Sequence, residues 1–339
     1  MRVLVTGGIG SVGKAAVARL LESGFSLRVF DRQPDAYLDG CEYVAGDIND
    51  YPTLRQAVRG CGAIVHLAAL PRPCDGPPEE VYRINAAGTF NVFQAAAEEG
   101  IRRVVQASSI NAIGHFYGIK EAAIQYLPMD EGHPAFTTDA YSFSKEIVEQ
   151  IGAYYWRREG ISNVALRFPA VLPVQAYARI RQRRANLQDL IQRLLAMSSR
   201  ERLVWLEERK QAFNDFRTRR SMESAEIYHQ VWTESSPFDA DTRLTMIARY
   251  NFFALIDERD AAQAIEKGLT ASYDGSHALF VNDHVNSANI DSQLLAEIFY
   301  PEVKLFKHPL SGVESLVSIE RAHQVLGFEP AFSFGTETT

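Results

Sequence analysis

Apolar residues in the first half of the chain follow two alternating rhythms. Short β-branched and aliphatic runs (RVLVT, SLRVF, EYVAG, AIVHLA, RRVVQAS, SNVALRF) are separated by amphipathic segments at 11–23, 51–59, 78–98 and 139–159. In the first segment Val12, Ala16, Val17, Leu20 and Leu21 form one stripe at helical spacing, and Ser23-Gly24 closes it with a glycine stop. Strands alternating with helices predict a parallel sheet covered on both faces, since parallel neighbours are joined by helical crossovers. The expected class is α/β, a doubly wound parallel sheet with a smaller, mostly helical C-terminal region.

The rhythm breaks at 174–250, which is rich in arginine and helix formers. Alternation resumes with FFALIDERDAAQAIEKGL, then HALFVND, a helix at 290–299 and ESLVSIERAHQVLGFEP. The expected division is therefore 1–172 for the sheet domain, 173–250 for a helical insertion, and 251–339 for the remaining elements. Residues 179–220 hold twelve Lys or Arg against five acids. Interspersed charge of this kind predicts solvated helix faces; the alternative is a basic lid that draws an anionic substrate.

Candidate chemistry begins where the first strand meets the first helix. In VTGGIGSVGKA, Gly7, Gly10 and Gly13 stand three apart, the pattern needed where a backbone turns tightly and a pyrophosphate approaches helix N-terminal amides. Asp31, eighteen residues after Gly13, ends the second strand. A carboxylate there accepts from a ribose diol and repels a 2′-phosphate, which predicts NAD; Arg32 beside it leaves NADP possible. Gly8 to Lys14 also fits GxxxxGK, but Ala15 stands where a magnesium-binding Ser or Thr is required, which argues against nucleotide hydrolysis.

Tyr141 and Lys145 in AYSFSKEIVEQ lie i, i+4 on one helix face. A phenol titrates near 10, and bringing it near 7 takes about 4 kcal/mol of phenolate stabilisation, which a nearby ammonium and an oxidised nicotinamide can supply. Such a phenol is a general base as hydride leaves a carbinol, and a general acid in reverse. The spacing recurs in YPEVK at Tyr300 and Lys304, but Pro301 disfavours a helix interior and no strand-end serine accompanies it, so Tyr300 reads as structural. Ser109 ends a strand some thirty residues before Tyr141, where strand ends open onto the crevice of a parallel sheet. It is the third catalytic candidate, with Ser108 in support.

Composition narrows the field further. With 46% hydrophobic and 23% charged residues and a net charge of -7, the chain has no footprint for nucleic acid or an anionic membrane. The N-terminus runs directly into VLVTGG without a secretory h-region, so a cytoplasmic protein is expected. Cys41, Cys61 and Cys74 are odd in number and off metal-ligand spacing, suggesting neither a disulfide framework nor a metal site.

Taken together, TGGIGSVG, VFDR, GDIND, VHLAAL, NAAGTFNVFQAA, ASSINAIG, YSFSK, ALRFPAV, LIDERDAAQAI and LGFEP resemble the extended short-chain dehydrogenase/reductase family of nucleotide-sugar epimerases, dehydratases and sugar dehydrogenases. The resemblance implies a Rossmann domain and a Tyr141, Lys145, Ser109 triad, with Lys145 also gripping the nicotinamide ribose. It implies a cofactor cradle of Gly7, Gly10, Ser11, Val12, Gly13, Asp31, Arg32, Asp47, Ile48, Leu67, Ala68, Ala69, Asn85 and Phe168, with Asp47 and Ile48 at the adenine. It also implies a homodimer formed through the helices at 78–98 and 139–159.

Departures from the family pattern narrow the activity. Dehydratases of the family carry Thr-Asp-Glu after the catalytic strand, where this chain has Ser109-Ile110-Asn111, and many epimerases carry Tyr before the glycine where Ile113 stands. SSINAIGHFY is more similar to uronate dehydrogenases of the family. Their arginine about a dozen residues beyond the LR strand has a counterpart in Arg179, twelve after Arg167; Arg72 and Asn111 are further substrate candidates. The expected activity is an NAD-dependent oxidoreductase acting at a secondary hydroxyl or hemiacetal carbon of a sugar or sugar acid. A nucleotide-sugar epimerase with tightly held NAD and a non-catalytic NAD-binding regulator are the alternatives.

Overall fold

The structure, a computed structural model, describes residues 1–34, 38–219, 221–233 and 236–333. The chain begins with β1 (Arg2–Thr6), α1 (Ser11–Glu22), β2 (Ser26–Asp31), β3 (Cys41–Ala45), α2 (Tyr51–Val58) and β4 (Ala63–His66). There follow α3 (Pro78–Tyr82), a π-helical turn (Arg83–Ala87), α4 (Gly88–Glu98), β5 (Arg103–Ser109), β6 (Tyr126–Leu127), α5 (Ala140–Glu159), β7 (Ser162–Phe168) and β8 (Ala170–Leu172). Next come α6 (Tyr177–Leu195), α7 (Ser199–Arg217), α8 (Ala225–Val231) and α9 (Ala240–Tyr250). The remainder is β9 (Leu255–Asp257), α10 (Glu258–Thr270), β10 (Ser276–Phe280), α11 (Ser292–Phe299), β11 (Leu305–Phe306) and α12 (Glu320–Leu326).

Seven strands form one parallel sheet in the order β3-β2-β1-β4-β5-β7-β10. Side chains alternate between its faces. Val3, Val5, Val29, Val105 and Val164 pack against Val17 and Leu20 of α1 and Ile265 of α10, while Leu4, Phe30, Ile64 and Val104 pack against Val92 and Phe93 of α4 and Tyr155 of α5. Both faces are buried, so the central strands read as continuous apolar runs. Each of these side chains contributes roughly 1.5–3 kcal/mol, and truncating Leu4 to Ala is expected to cost about 2–5 kcal/mol. The order reverses between β1 and β4, and the C-terminal ends of those strands open a crevice there.

Local signals set the helix ends. Asp139 caps α5 by accepting from Ser142 N at 2.8 Å, and Gly160 ends that helix in the left-handed region. Ser198 and Glu201 form a capping box on α7. The predicted helix at 78–98 is interrupted by the π turn, which directs Asn85 into the interior.

Helices α6 to α9 occupy the segment expected to be helical, but their charge is not simply solvated. Leu187, Leu190, Ile191 and Leu194 of α6 pack with Phe252, Phe253 and Phe299, and Phe213 of α7 shares a core with Phe116, Tyr117 and Tyr141. Arg217 and Arg249 are fully buried. Arg217 Nη1 donates to the His115 carbonyl at 3.0 Å; Arg249 pairs with Glu121 at 2.7 Å and with Glu302, and its Nε donates to the Phe299 carbonyl at 2.8 Å. A long-range core pulls these cations inward, which helical charge spacing does not reveal. Arg181, Arg200 and Arg219 are exposed, as expected for a solvated face; Arg220 lies outside the described residues. Tyr300 is buried and donates to the Arg249 carbonyl, a structural role.

Candidate active site

The cleft begins at the turn from β1 to α1. Gly7 has φ +73°, and a Cβ there would lie 2.5 Å from Ala68 N; one on Gly13 would lie 2.2 Å from the Gly7 carbonyl. Both close approaches require glycine. Helix α1 starts at Ser11 with no side-chain cap on its amides and no acid in its first turn, so its N-terminus is free for an anion. The Asp31 carboxylate, at the end of β2, accepts from Ile9 N at 3.3 Å. Asp47 Oδ1 accepts from Asn49 N at 2.8 Å and shapes the next turn.

Strand β5 and helix α5 meet at the other end. Ser109 caps a 3-10 turn, Ile110–Ile113; its Oγ accepts from Asn111 N at 3.1 Å, and it lines the cleft together with Tyr141. One turn along α5, Lys145 Nζ donates to the Ala107 carbonyl at 2.9 Å. One turn further, Glu149 accepts from Ser108 Oγ at 2.6 Å and from Arg167 through two nitrogens at 2.9 and 2.8 Å. This bidentate pair, continuous with Ser108, locks α5 to β5 and β7 and sets where Tyr141 stands.

Burial governs the electrostatics. It pushes the Tyr141 phenol up to about 12, with the neighbouring Ser109 hydroxyl pulling the other way, and pushes Lys145 down to about 8 against the opposing pull of Glu149. The protein's own groups therefore leave Tyr141 protonated at neutral pH, the form that donates a proton. The shift toward 7 expected from sequence requires positive charge from a bound cofactor. Asp139 is raised to about 6 by burial, with the Ser142 backbone N–H opposing.

These residues line one cleft of about 870 Å³. Gly7, Gly10, Ser11, Val12, Gly13, Asp31, Arg32, Asp47, Ile48, Leu67, Ala68, Ala69, Ser109, Asn111, Arg72, Tyr141, Lys145 and Phe168 all face it. Asn85 and Arg179 do not. Asn85 is buried behind the wall, where it accepts from Leu70 N at 2.8 Å and donates to the Leu70 carbonyl and Ser144 Oγ, both at 3.0 Å. It shapes the Leu67–Leu70 segment from behind. Arg179 is exposed on α6, outside the cleft lining.

Sequence reasoning missed the far wall, made by Phe116, Tyr117, Tyr228, Trp232, Ile247 and Asn251. The Tyr117 and Tyr228 rings lie 6.3 Å apart, centre to centre. Four of the six come from α8, α9 and their ends. The i, i+4 pair Tyr228 and Trp232 in a polar segment was the available signal.

The cleft fits a dinucleotide. Gly7 and Gly13 clear its floor, the α1 amides suit a pyrophosphate, Asp31 suits a ribose diol, and Lys145 with Phe168 stands at the far end beside Tyr141. Among the described residues no cluster of three or more His, Cys, Asp or Glu can hold a metal ion, and no helix is long and apolar enough to cross a membrane.

The chain is similar to proteins already known. An NAD-dependent glucose-6-phosphate dehydrogenase of Haloferax volcanii is 32% identical over 176 residues, 49% of this chain and 66% of that protein. A uronate dehydrogenase of Pseudomonas putida is 30% identical over 193 residues, 56% of this chain and 69% of that protein. The chain thus spans about two thirds of the length of the curated relatives it matches. A solved NAD-bound short-chain dehydrogenase/reductase superfamily protein from Agrobacterium tumefaciens superposes with a TM-score of 0.61 at 22% identity, over 98% of this chain and 94% of that one. UDP-glucose 4-epimerase from Thermotoga maritima gives 0.60 at 15% identity, over 99% and 95%; both likenesses are of fold. A profile of the NAD dependent epimerase/dehydratase family matches residues 3–208, a span that contains the glycine loop, Asp31, Ser109, Tyr141 and Lys145, and by that match the chain belongs to this family, whose cofactor is NAD.

Proposed function

We propose that the chain is an NAD-dependent oxidoreductase that interconverts a secondary hydroxyl or hemiacetal carbon of a sugar or sugar acid with its carbonyl form. The observation that carries this reading is the convergence of Ser109, Tyr141 and Lys145 on one cleft, with Lys145 one turn after Tyr141 on α5. Glucose-6-phosphate, arabinose and uronate dehydrogenases among the relatives support the substrate class.

The amides of the Gly7–Gly13 loop would hold the pyrophosphate, Asp31 the adenosine ribose, Asp47 and Ile48 the adenine, and Lys145 and Phe168 the nicotinamide end. NAD, when bound, would supply the two-electron acceptor for the hydrogen and electron pair of the carbinol C–H bond. Tyr141 Oη takes the hydroxyl proton as the C=O bond forms and passes it to solvent, giving carbonyl product, NADH and one proton. Lys145 favours the phenolate by its charge, and Ser109 holds the reacting oxygen beside Tyr141.

The chain is proposed to act as a homodimer. Tyr82, Phe90, Phe143 and Tyr154 are each more than a third exposed on the elements from α3 to α5, and they stack as Tyr82–Phe143 at 5.5 Å and Phe90–Tyr154 at 6.3 Å. An exposed aromatic ladder of this kind marks an interface.

The test is absorbance at 340 nm with NAD and a panel of free and derivatised sugars. Turnover abolished by Tyr141→Phe is the expected result. Interconversion of a UDP-sugar without net NADH, by protein that retains stoichiometric NAD after purification, would replace this reading with epimerisation.

A further inference from the structure

The end of the cleft beyond Tyr141 carries aromatic faces and neutral amides. Among the described residues, the cations lining the cleft are Arg32, Arg72 and Lys145. Arg32 follows Asp31 at the cofactor end. Lys145 is spent on the Ala107 carbonyl beside Tyr141. Arg72 alone stands at the substrate end, and its guanidinium is bound to Asp75 at 2.6 Å through Nη2 and 2.9 Å through Nε, with the Tyr228 ring 5.8 Å away. Its charge is already neutralised. Arg179, the cation expected to meet an anionic substrate, points to solvent elsewhere.

Resting on the oxidoreductase reading above, we infer that the substrate is electrically neutral: a free sugar in its cyclic hemiacetal form, without carboxylate, phosphate or nucleotide diphosphate. A carboxylate or phosphate entering this end would shed its hydration among Phe116, Tyr117, Tyr228, Trp232 and Ile247 with no free counter-charge among the described residues to meet it. A sugar ring has one face of C–H groups that suits aromatic faces and an edge of hydroxyls that needs neutral donors and acceptors.

Asn111 supplies that edge. It is 92% buried by its 8% residual exposure, it lines the cleft, and its carboxamide makes no hydrogen bond to another described residue. Asn251 commits one donor to the Ile247 carbonyl at 3.0 Å and faces the same space. A purely apolar ring would leave both amides unpaired, which a site that selects hydroxyls uses as discrimination.

The experiment pairs calorimetric titration of the NADH-loaded protein with initial rates of NAD reduction. The probes are L-arabinose, D-galactose, D-glucuronate, glucose 6-phosphate, UDP-glucose and cyclohexanol. The neutral sugars are expected to bind, and to be oxidised with kcat/KM at least about thirtyfold above every anionic probe. Asn111→Ala is expected to lower that kcat/KM about tenfold while leaving the Kd for NADH unchanged. Preference for an anionic probe with NADH formed would overturn neutrality and leave the oxidoreductase reading standing. Preference for cyclohexanol would overturn the sugar. Binding of neutral sugars without any NADH formed would support the present inference and overturn the oxidoreductase reading; neither binding nor turnover with any probe would overturn both.

Discussion

The backbone N–H of Ile9 donates to the Asp31 carboxylate at 3.3 Å, so the glycine loop and the end of β2 share one negative charge at the mouth of the cleft. Asp31→Ala removes both the loop's anchor and the acceptor for a ribose diol. The Kd for NAD should rise about tenfold to a hundredfold, and the NAD over NADP ratio of kcat/KM should fall, because the charge that repels a 2′-phosphate is gone. Arg32→Ala in that background should remove most of the NADP activity gained. Wild-type protein that prefers NADP would contradict the assignment of Asp31.

Tyr141→Phe keeps the ring and deletes the proton carrier. It should lower kcat by about a hundredfold to ten-thousandfold with the unfolding midpoint nearly unchanged, and Ser109→Ala should lower it less, since the phenol remains. Equal turnover by wild type and Tyr141→Phe would remove Tyr141 as the proton carrier.

Asp139, the cap of α5 two residues before Tyr141, is raised by burial from 3.8 to about 6. The folded state therefore holds a proton that the unfolded state has lost between about pH 4 and 6. Stability present below pH 4 is given up as pH rises through about 6, to the extent of roughly 3 kcal/mol at most. Asp139→Asn keeps an acceptor for Ser142 N and removes the charge. Urea unfolding should find this variant more stable than wild type by about 1–3 kcal/mol at pH 8, with the gap closing toward pH 4. A gap that stays constant with pH would mean that the carboxylate is not the cause.

Arg249→Met should be costly, because it leaves the half-buried Glu121 carboxylate without its cationic partner. A loss of about 3–5 kcal/mol is expected, and adding Glu121→Gln should restore part of it. The thermal midpoints of wild type, the two single variants and the double variant together measure this coupling.

Phe90→Glu with Tyr154→Glu places charge in the exposed aromatic ladder. Sedimentation should show the double variant as a monomer at concentrations where wild type is a dimer. Wild type that is monomeric at every concentration would remove the proposed interface.

The period of two in the strands, the 3.6 period in the helices, the glycine loop and the i, i+4 pair of Tyr141 and Lys145 are local properties, set by backbone geometry within a few residues. They were legible in the chain and led to the parallel sheet and to the cleft that the glycine loop, Asp31, Ser109, Tyr141 and Lys145 line. The choice between YSFSK and YPEVK was also legible, since Pro301 and the missing strand-end serine are local features.

Long-range packing set the rest. Asn85 turns away from the cleft because a π turn and Ser144 on a distant helix hold it, and Arg179 turns to solvent because α6 buries its opposite face. Arg217 and Arg249 sit inside because α7 and α9 are wedged into the core that carries Tyr141. Tyr228 meets Tyr117, and Trp232 meets Phe116, across more than a hundred residues of sequence, and only there does an aromatic pair on a polar helix become a wall of the cleft. Which side of a helix faces a ligand depends on what its other side finds to bury against, and that partner is far away in the chain.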